Sequence, residues 1–364
     1  MPKIDKSHGE PAKSRHNHVA PKADQIFSLA LVIFAKDEER NIRGILESVA
    51  AQTLCARHDI NLSVEVVANG CTDRTAEIAR EWSASSTHVL GKRAQIHDWP
   101  TPGKSRSWNR VVHDVFPDNL DYVIAMDADI EFVSDTVLSE MFELMRGAIT
   151  SKVLSGSPIK DIVRKSRPNL VDRFSTKISD IACYADAICG QLYLAKAQCL
   201  KEIWLPDETP GEDGFLNAMV RTRGFSQSPR PDAVMQMSSA THYYESHSVA
   251  AFFAHEKRMI VGTMINRWIF EYLMSLRLTE PAGKLIDSLN RERPDWVDKI
   301  IEKQSSSIWL IPGDLLFRRL APRNGATLSY LLHLPALMFA TVLTVLPALT
   351  ANRALKKRGA ASLW

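Results

Sequence analysis

Two carboxylates, Asp127 and Asp129, close the run Tyr122-Val-Ile-Ala-Met-Asp-Ala-Asp-Ile-Glu-Phe132. Side chains on a strand alternate faces, so residues i and i+2 point the same way. At a strand end such a pair faces the crevice in which open α/β sheets bind ligands. Oxygen-only ligands at this spacing suit Mg2+ or Mn2+ clamped to a diphosphate. A polar turn after a strand has the same composition. A second acidic pair, Glu212-Asp213, stands between Gly211 and Phe215-Leu216 at a predicted helix start. A carboxylate there can act as a general base or cap the helix. Lys104 and Arg106 follow Gly103 at another predicted helix start. Cations beside free backbone N–H groups suit phosphate, and a solvated helix face is the plainer alternative.

The elements that must position these groups read as strands alternating with helices. Residues 27–35 are a continuous apolar run closed by Lys36-Asp37-Glu38-Glu39, and Ile42, Ile45, Leu46 and Val49 then recur at helical spacing. A second unit runs from Leu62 to Ala68, turns at Asn69-Gly70, and enters a helix capped near Thr72 and Asp73. A third strand is expected near His88–Leu90 or Ala94–Ile96, followed by a Pro100–Gly103 loop and a helix from about Ser105. The strand ending at Asp127 is fourth. This order predicts an α/β fold with a mostly parallel, Rossmann-like sheet and helices on both faces. The second half is less regular: a strand near Val153–Ser157, helix across 168–188, a strand over Gln191–Leu194, and an aromatic-rich amphipathic region over 250–278.

Composition bounds the function. A chain of 364 residues with 45% hydrophobic and 24% charged residues supports a full globular core. A net charge of +3, without a basic stripe interleaved with aromatics, argues against nucleic acid as a partner. Five cysteines without Cys-x-x-Cys spacing indicate neither a disulfide framework nor a zinc knuckle, and fit a reducing cytosol. Residues 1–25 lack an apolar h-region and read as a disordered arm, with His8, His16 and His18 solvated. Residues 327–350 carry no Asp, Glu, Lys or Arg and are flanked by basic residues on both sides. A helix of that length can cross a bilayer core of roughly 30 Å. With Pro335, Pro347 and His333 inside it, a kinked or interfacial helix is the rival reading, and a buried soluble helix the plainest one.

Five pieces of this pattern, in order over residues 28–275, resemble the inverting GT-A glycosyltransferases of the family 2 type. Val32–Asn41 looks like that family's first strand and nucleotide-contacting loop, and Ala68–Thr75 like its second-strand turn. Gly103–Asn109 looks like its Gly-Lys helix start, Asp127-Ala128-Asp129 its metal motif, and Gly211-Glu212-Asp213 its acidic catalytic motif. The resemblance implies that Ala35, Asp37, Glu38 and Asn69 lie along the nucleotide, with Lys104 and Arg106 on the phosphates. It implies Asp129 as ligand of Mn2+ or Mg2+, with Asp127 and Ala128 on metal or ribose. Asp213 is then the base, with Glu212 orienting the acceptor. Cys189-Gly190-Gln191 resembles the small-residue turn beside the donor sugar, and His242 or His247 stands where some GT-A enzymes bring a further metal ligand. Ala68 replaces an acid that commonly reads the base, which leaves the nucleotide open. His255-Glu-Lys-Arg258-Met lacks both the Gln and the Trp of processive synthases.

The resulting expectation is transfer of a sugar, with inversion, from a nucleoside-diphosphate sugar (a UDP-sugar first) to a lipid or lipid-linked saccharide at the cytosolic membrane face. The expected divisions are an arm over 1–25, a GT-A domain over 26–278, a helical connector over 279–326, a transmembrane or membrane-inserted helix over 327–350, and a basic tail over 351–364. An inactive membrane-bound scaffold that kept the fold is the alternative, favoured only by Ala68.

Overall fold

The computed structural model describes residues 25–165, 187–245, 249–320 and 328–357. The N-terminal arm, nearly all of the helix expected over 168–188, and His247 lie outside the described residues. Phe27–Ala35 forms the central strand, β1. Its even-numbered side chains Ala30, Val32 and Phe34 enter one apolar core, and Leu29, Leu31, Ile33 and Ala35 enter a second on the opposite face. A strand buried on both faces has to be apolar throughout, which is why it reads as one unbroken run. On one side β1 pairs in parallel with β2 (Ile60–Asn69), which in turn carries β3 (Ala94–Trp99). On the other side it pairs in parallel with β4 (Tyr122–Asp127). The third strand is thus the later of the two expected positions, and Val89–Arg93 is a short helix.

The remaining strands are short: β5 (Ile130–Phe132), β6 (Val153–Ser155), β7 (Pro158–Lys160), β8 (Leu192–Lys196), β9 (Val234–Gln236) and β10 (His242–Tyr244). The main sheet has seven strands in the order β3-β2-β1-β4-β8-β6-β9, and β8 runs antiparallel to both neighbours. A second sheet has the order β5-β10-β7. The chain reverses its winding between β1 and β4, so the crevice at their C-terminal ends is the topological switch point. Asp127 ends β4 there, on the face of Val123 and Ala125.

Helices cover both faces. Ile42–Ala50 and Val137–Gly147 bury Ile45, Leu46, Met141 and Phe142 on one side. Lys104–Arg110, Glu212–Arg221 and Val249–Ser275 bury Trp108, Phe215, Leu216, Ile265 and Trp268 on the other. Each large apolar side chain so buried contributes about 1.5–3 kcal/mol. The aromatic stretch Trp268–Leu276 reads from its sequence equally well as a membrane-surface patch or a core helix; Trp268, Ile269 and Leu273 are core residues. The same core takes in Ile286 and Trp296 from helices Gly283–Glu292 and Trp296–Gln304, and Ala348, Ala351 and Leu355 from helix Val345–Lys356. Glu256 is buried, with Arg319 Nη2 at 2.8 Å and Arg318 Nη2 at 3.4 Å. Two of the basic residues preceding the apolar tail are therefore tied to the long helix. Residues Leu334–Lys356, a helical stretch of 23 residues, form the one candidate among the described residues long and apolar enough to cross a membrane.

Candidate active site

Lys104 is the electrostatic centre of the crevice. Its Nζ lies 2.6 Å from Asp127 Oδ1 and 2.9 Å from Glu212 Oε1, and donates to the Gly190 carbonyl at 3.2 Å. An ammonium has three donors, and these contacts occupy all three. Lys104 thus ties the acid that ends β4 to the acid that opens helix Glu212–Arg221. Burial opposes its charge, yet Asp127 and Glu212 hold its pKa well above the ordinary lysine value. Burial pushes Asp127 up to about 6 against the pull of Lys104. Asp213 is pushed up to about 6 as well, by burial and by the neighbouring Glu212 carboxylate. A carboxylate so tuned is ionised at neutral pH and more basic than a solvated one, which suits general base work.

Backbone contacts fix the two acids. Asp127 N–H donates to the Gln191 carbonyl at 3.0 Å, and Ala128 N–H to the Phe34 carbonyl at 3.0 Å. Gly190 packs against the acidic pair: a Cβ built there would lie 3.1 Å from Asp213 Cβ and 3.3 Å from Glu212 Oε1. Only glycine permits that approach without displacing the acids. A cavity of about 10 Å³, room for one water, lies between Lys104, Trp108, Gly190, Tyr193, Glu212 and Asp213. Trp108 Nε1 donates to Tyr193 Oη at 2.7 Å across its floor.

The loop carrying the acidic pair is clamped by three asparagines that sequence reasoning missed. Asn109 Nδ2 donates to the Leu205 carbonyl at 2.8 Å, and its Oδ1 accepts from Leu205 N–H at 2.8 Å. Asn290 Nδ2 donates to the same carbonyl at 2.8 Å. Asn266 Nδ2 donates to the Gly211 carbonyl at 2.7 Å, and its Oδ1 accepts from Thr209 Oγ1 at 2.8 Å. Gly262 lets the long helix touch this loop, its would-be Cβ being 3.4 Å from Gly211 Cα. A polar residue in the buried stripe of helix Val249–Ser275 was the available signal for Asn266.

The residues expected along the nucleotide form a self-bonded network. Asp37, at φ 55°, accepts from Thr72 N–H at 2.6 Å and pairs with Lys36 at 2.8 Å. The Lys36 bond and the two from Thr72 pull Asp37 down to about 2 despite a small opposing burial effect. Asn69 Oδ1 accepts from Gly103 N–H at 2.9 Å and Ser107 Oγ at 3.0 Å, so this side chain clasps the β2 turn to the helix bearing Lys104. Ala35 ends β1, and its carbonyl accepts from Cys71 Sγ at 3.4 Å. Arg106 lies against Glu208 at 3.2 Å and Asp207 at 3.6 Å, on the loop leading to the acidic pair. Cys55, Cys71, Cys189 and Cys199 are free thiols.

Asp129 sits in the turn between β4 and β5, not on the strand, and is exposed. Strict strand alternation therefore does not set its direction. Burial raises Glu38, and the charges of Asp129, Asp73 and Glu245 raise it further, so these carboxylates share one field. Glu245 was not foreseen. It follows β10, which pairs antiparallel with β5 and brings His242 opposite Phe132. His242 is fully buried; its Nδ1 is 2.8 Å from Thr241 Oγ1, and its Nε2 makes no hydrogen bond with a described residue. Burial alone pushes its pKa down to about 4, keeping the imidazole neutral. A neutral ring with a buried unsatisfied nitrogen is in the state a metal ligand requires. Among the described residues the group whose ligand atoms converge within 4.8 Å is Asp37, Cys71 and Asp73, and Asp129, Asp127 and His242 do not form such a group.

Residues 30–175 match the family described as Glycosyl transferase family 2. The mannosyltransferase PcManGT from Pyrobaculum calidifontis, solved with GDP-Man and Mn2+, superposes with a TM-score of 0.54 at 15% identity, covering 93% of this chain and 90% of that one. Glucosyl-3-phosphoglycerate synthase from Mycobacterium tuberculosis, solved with Mn2+, UDP and glucosyl-3-phosphoglycerate, is also similar: TM-score 0.47, 14% identity, 66% of this chain and 80% of that one. S. aureus TarS 1-349, solved with UDP-GlcNAc, gives a TM-score of 0.43 at 13% identity, over 91% of each chain. No curated protein matches the sequence. The superposition on PcManGT shows that the fold is of the GT-A type. Over residues 30–175, well under half of its length, the chain is similar to the family 2 glycosyl transferases.

Proposed function

We propose that this glycosyltransferase moves a sugar from a nucleoside diphosphate to an acceptor hydroxyl with inversion, and that Asp213 removes the acceptor proton. The observation that carries this is the placement of Asp213 beside the Lys104-bridged pair Asp127 and Glu212, with its pKa pushed up to about 6. Asp129, Asp127 and His242 would hold Mn2+ or Mg2+, which neutralises the departing diphosphate. The structurally similar PcManGT, solved with GDP-Man and Mn2+, is in keeping with that assignment. Asp37, Glu38 and Asn69 shape the nucleoside side; Lys104 ties Asp127 to Glu212, and Arg106 steadies the loop before Gly211. Glu212 orients the acceptor beside Asp213. The apolar C-terminal helix supports an acceptor that is a lipid or lipid-linked saccharide at the cytosolic membrane face.

The Asp213→Asn variant separates this reading from an inactive scaffold. Transfer should fall by roughly 10²–10⁴-fold with nucleotide binding intact. Unchanged activity in cells that depend on the protein would favour the scaffold.

A further inference from the structure

We infer that the protein docks in the plane of an anionic bilayer surface, through one face of its C-terminal helix and without spanning; this rests on the membrane-acceptor reading above. Met338, Val342, Val345, Leu346 and Leu349 are large exposed apolar residues of that helical stretch. They recur at i, i+4, i+7, i+8 and i+11, a single stripe at helical period. An exposed apolar stripe of this extent calls for an occupant.

The opposite stripe cannot be surrendered to lipid. Leu337, Ala340, Ala348, Ala351 and Leu355 are buried, and the last three lie in the main core with Ile260 and Met264 of the long helix. Asn352 accepts from Leu310 N–H at 2.8 Å and donates to the Ile308 carbonyl at 3.2 Å. A spanning orientation would strip this core and leave these polar groups in hydrocarbon, where each unsatisfied group is costly. Lying flat keeps every one of these contacts.

Charge names the occupant. Arg353 and Lys356 follow Leu349 at i+4 and i+7, so they continue the exposed stripe, and Lys357 is exposed beside them. The Asn352 bonds hold Ile308, 87% exposed, and the adjoining Trp309 next to this basic end. Apolar side chains beside a tryptophan and three cations match the boundary between acyl chains and anionic headgroups. A second copy of this chain would have to accept the same three cations against its own.

The test is flotation of full-length protein with vesicles of phosphatidylcholine alone or mixed with phosphatidylglycerol, alongside carbonate extraction of cell membranes. The wild-type protein should float with phosphatidylglycerol vesicles and be released by carbonate. Val342→Glu/Leu346→Glu should bind at least about tenfold more weakly, while turnover of a soluble nucleotide sugar by water stays unchanged. Should that variant unfold, Arg353→Glu/Lys356→Glu should lose the preference for phosphatidylglycerol. Carbonate resistance would show a spanning helix, and a dimer in lipid-free solution dissolved by Val342→Glu/Leu346→Glu would show a second copy as occupant. Either result, or equal flotation of variant and wild type, overturns in-plane docking. Soluble turnover reports on the transferase reading separately.

Discussion

Replacing Lys104 by Met keeps most of the side-chain bulk and removes one charge. Asp127 and Glu212 then lose their shared counter-ion, and the Gly190 carbonyl loses a donor. Removing one partner of a fully buried ion pair costs about 3–5 kcal/mol. The three side chains here retain 17–25% exposure. Water therefore screens part of the loss, and about 2–3 kcal/mol is expected. Urea denaturation at pH 7 measures it as a lower midpoint at unchanged slope. The sign with pH is a further check. Without the lysine Asp127, already pushed up to about 6 by burial, takes up a proton more readily in the folded state, so the deficit against wild type should shrink as the pH is lowered towards 5. Adding Glu212→Gln should recover part of the loss, with a coupling of about 1–3 kcal/mol. A loss under about 0.5 kcal/mol, the range of ordinary surface substitutions, would refute the bridge and leave Lys104 a free cation for phosphate.

Two further outcomes follow from the same geometry. Asp213 acts as a carboxylate and is pushed up to about 6, so kcat/KM should be flat above neutrality and fall as pH drops through 6. Its folded-state pKa exceeds the unfolded value, so its contribution to stability is present at low pH and lost as pH rises through 6; Asp213→Asn should gain stability relative to wild type above that pH in thermal melts. A flat rate profile down to pH 5 would remove Asp213 from the proton transfer. Gly190→Ala places a methyl 3.1 Å from Asp213 Cβ, so steady-state kinetics should show kcat lowered about tenfold or more with nucleotide affinity kept. An unchanged kcat would mean the acidic pair tolerates displacement.

The parallel half of the sheet was legible because a strand buried on both faces cannot hide its apolar run, as in Phe27–Ala35. The acidic motifs were legible as residue types, and the structure brings Asp127, Glu212 and Asp213 into one crevice around Lys104. What escaped was partnership. Nothing in the local sequence tells that the ammonium of Lys104 meets three acceptors from three elements, or that Asn69 spends its oxygen on Gly103 and Ser107. Such contacts span more than twenty residues of chain and are set by packing. The same holds for Asn109, Asn266 and Asn290, whose amides substitute for regular backbone pairing in the loop before Gly211. The aromatic region over 250–278 was ambiguous because an apolar helix face has the same composition in a core as at a membrane surface.

Calorimetric titration of UDP, GDP and CMP into the folded protein, with Mn2+ and again with EDTA, tests the metal-dependent transferase reading most directly. One nucleotide should bind tightly with Mn2+, and at least about tenfold more weakly with EDTA or in Asp129→Asn, because the ion neutralises the diphosphate. Binding that is indifferent to EDTA, or absent for all three nucleotides, would contradict the account.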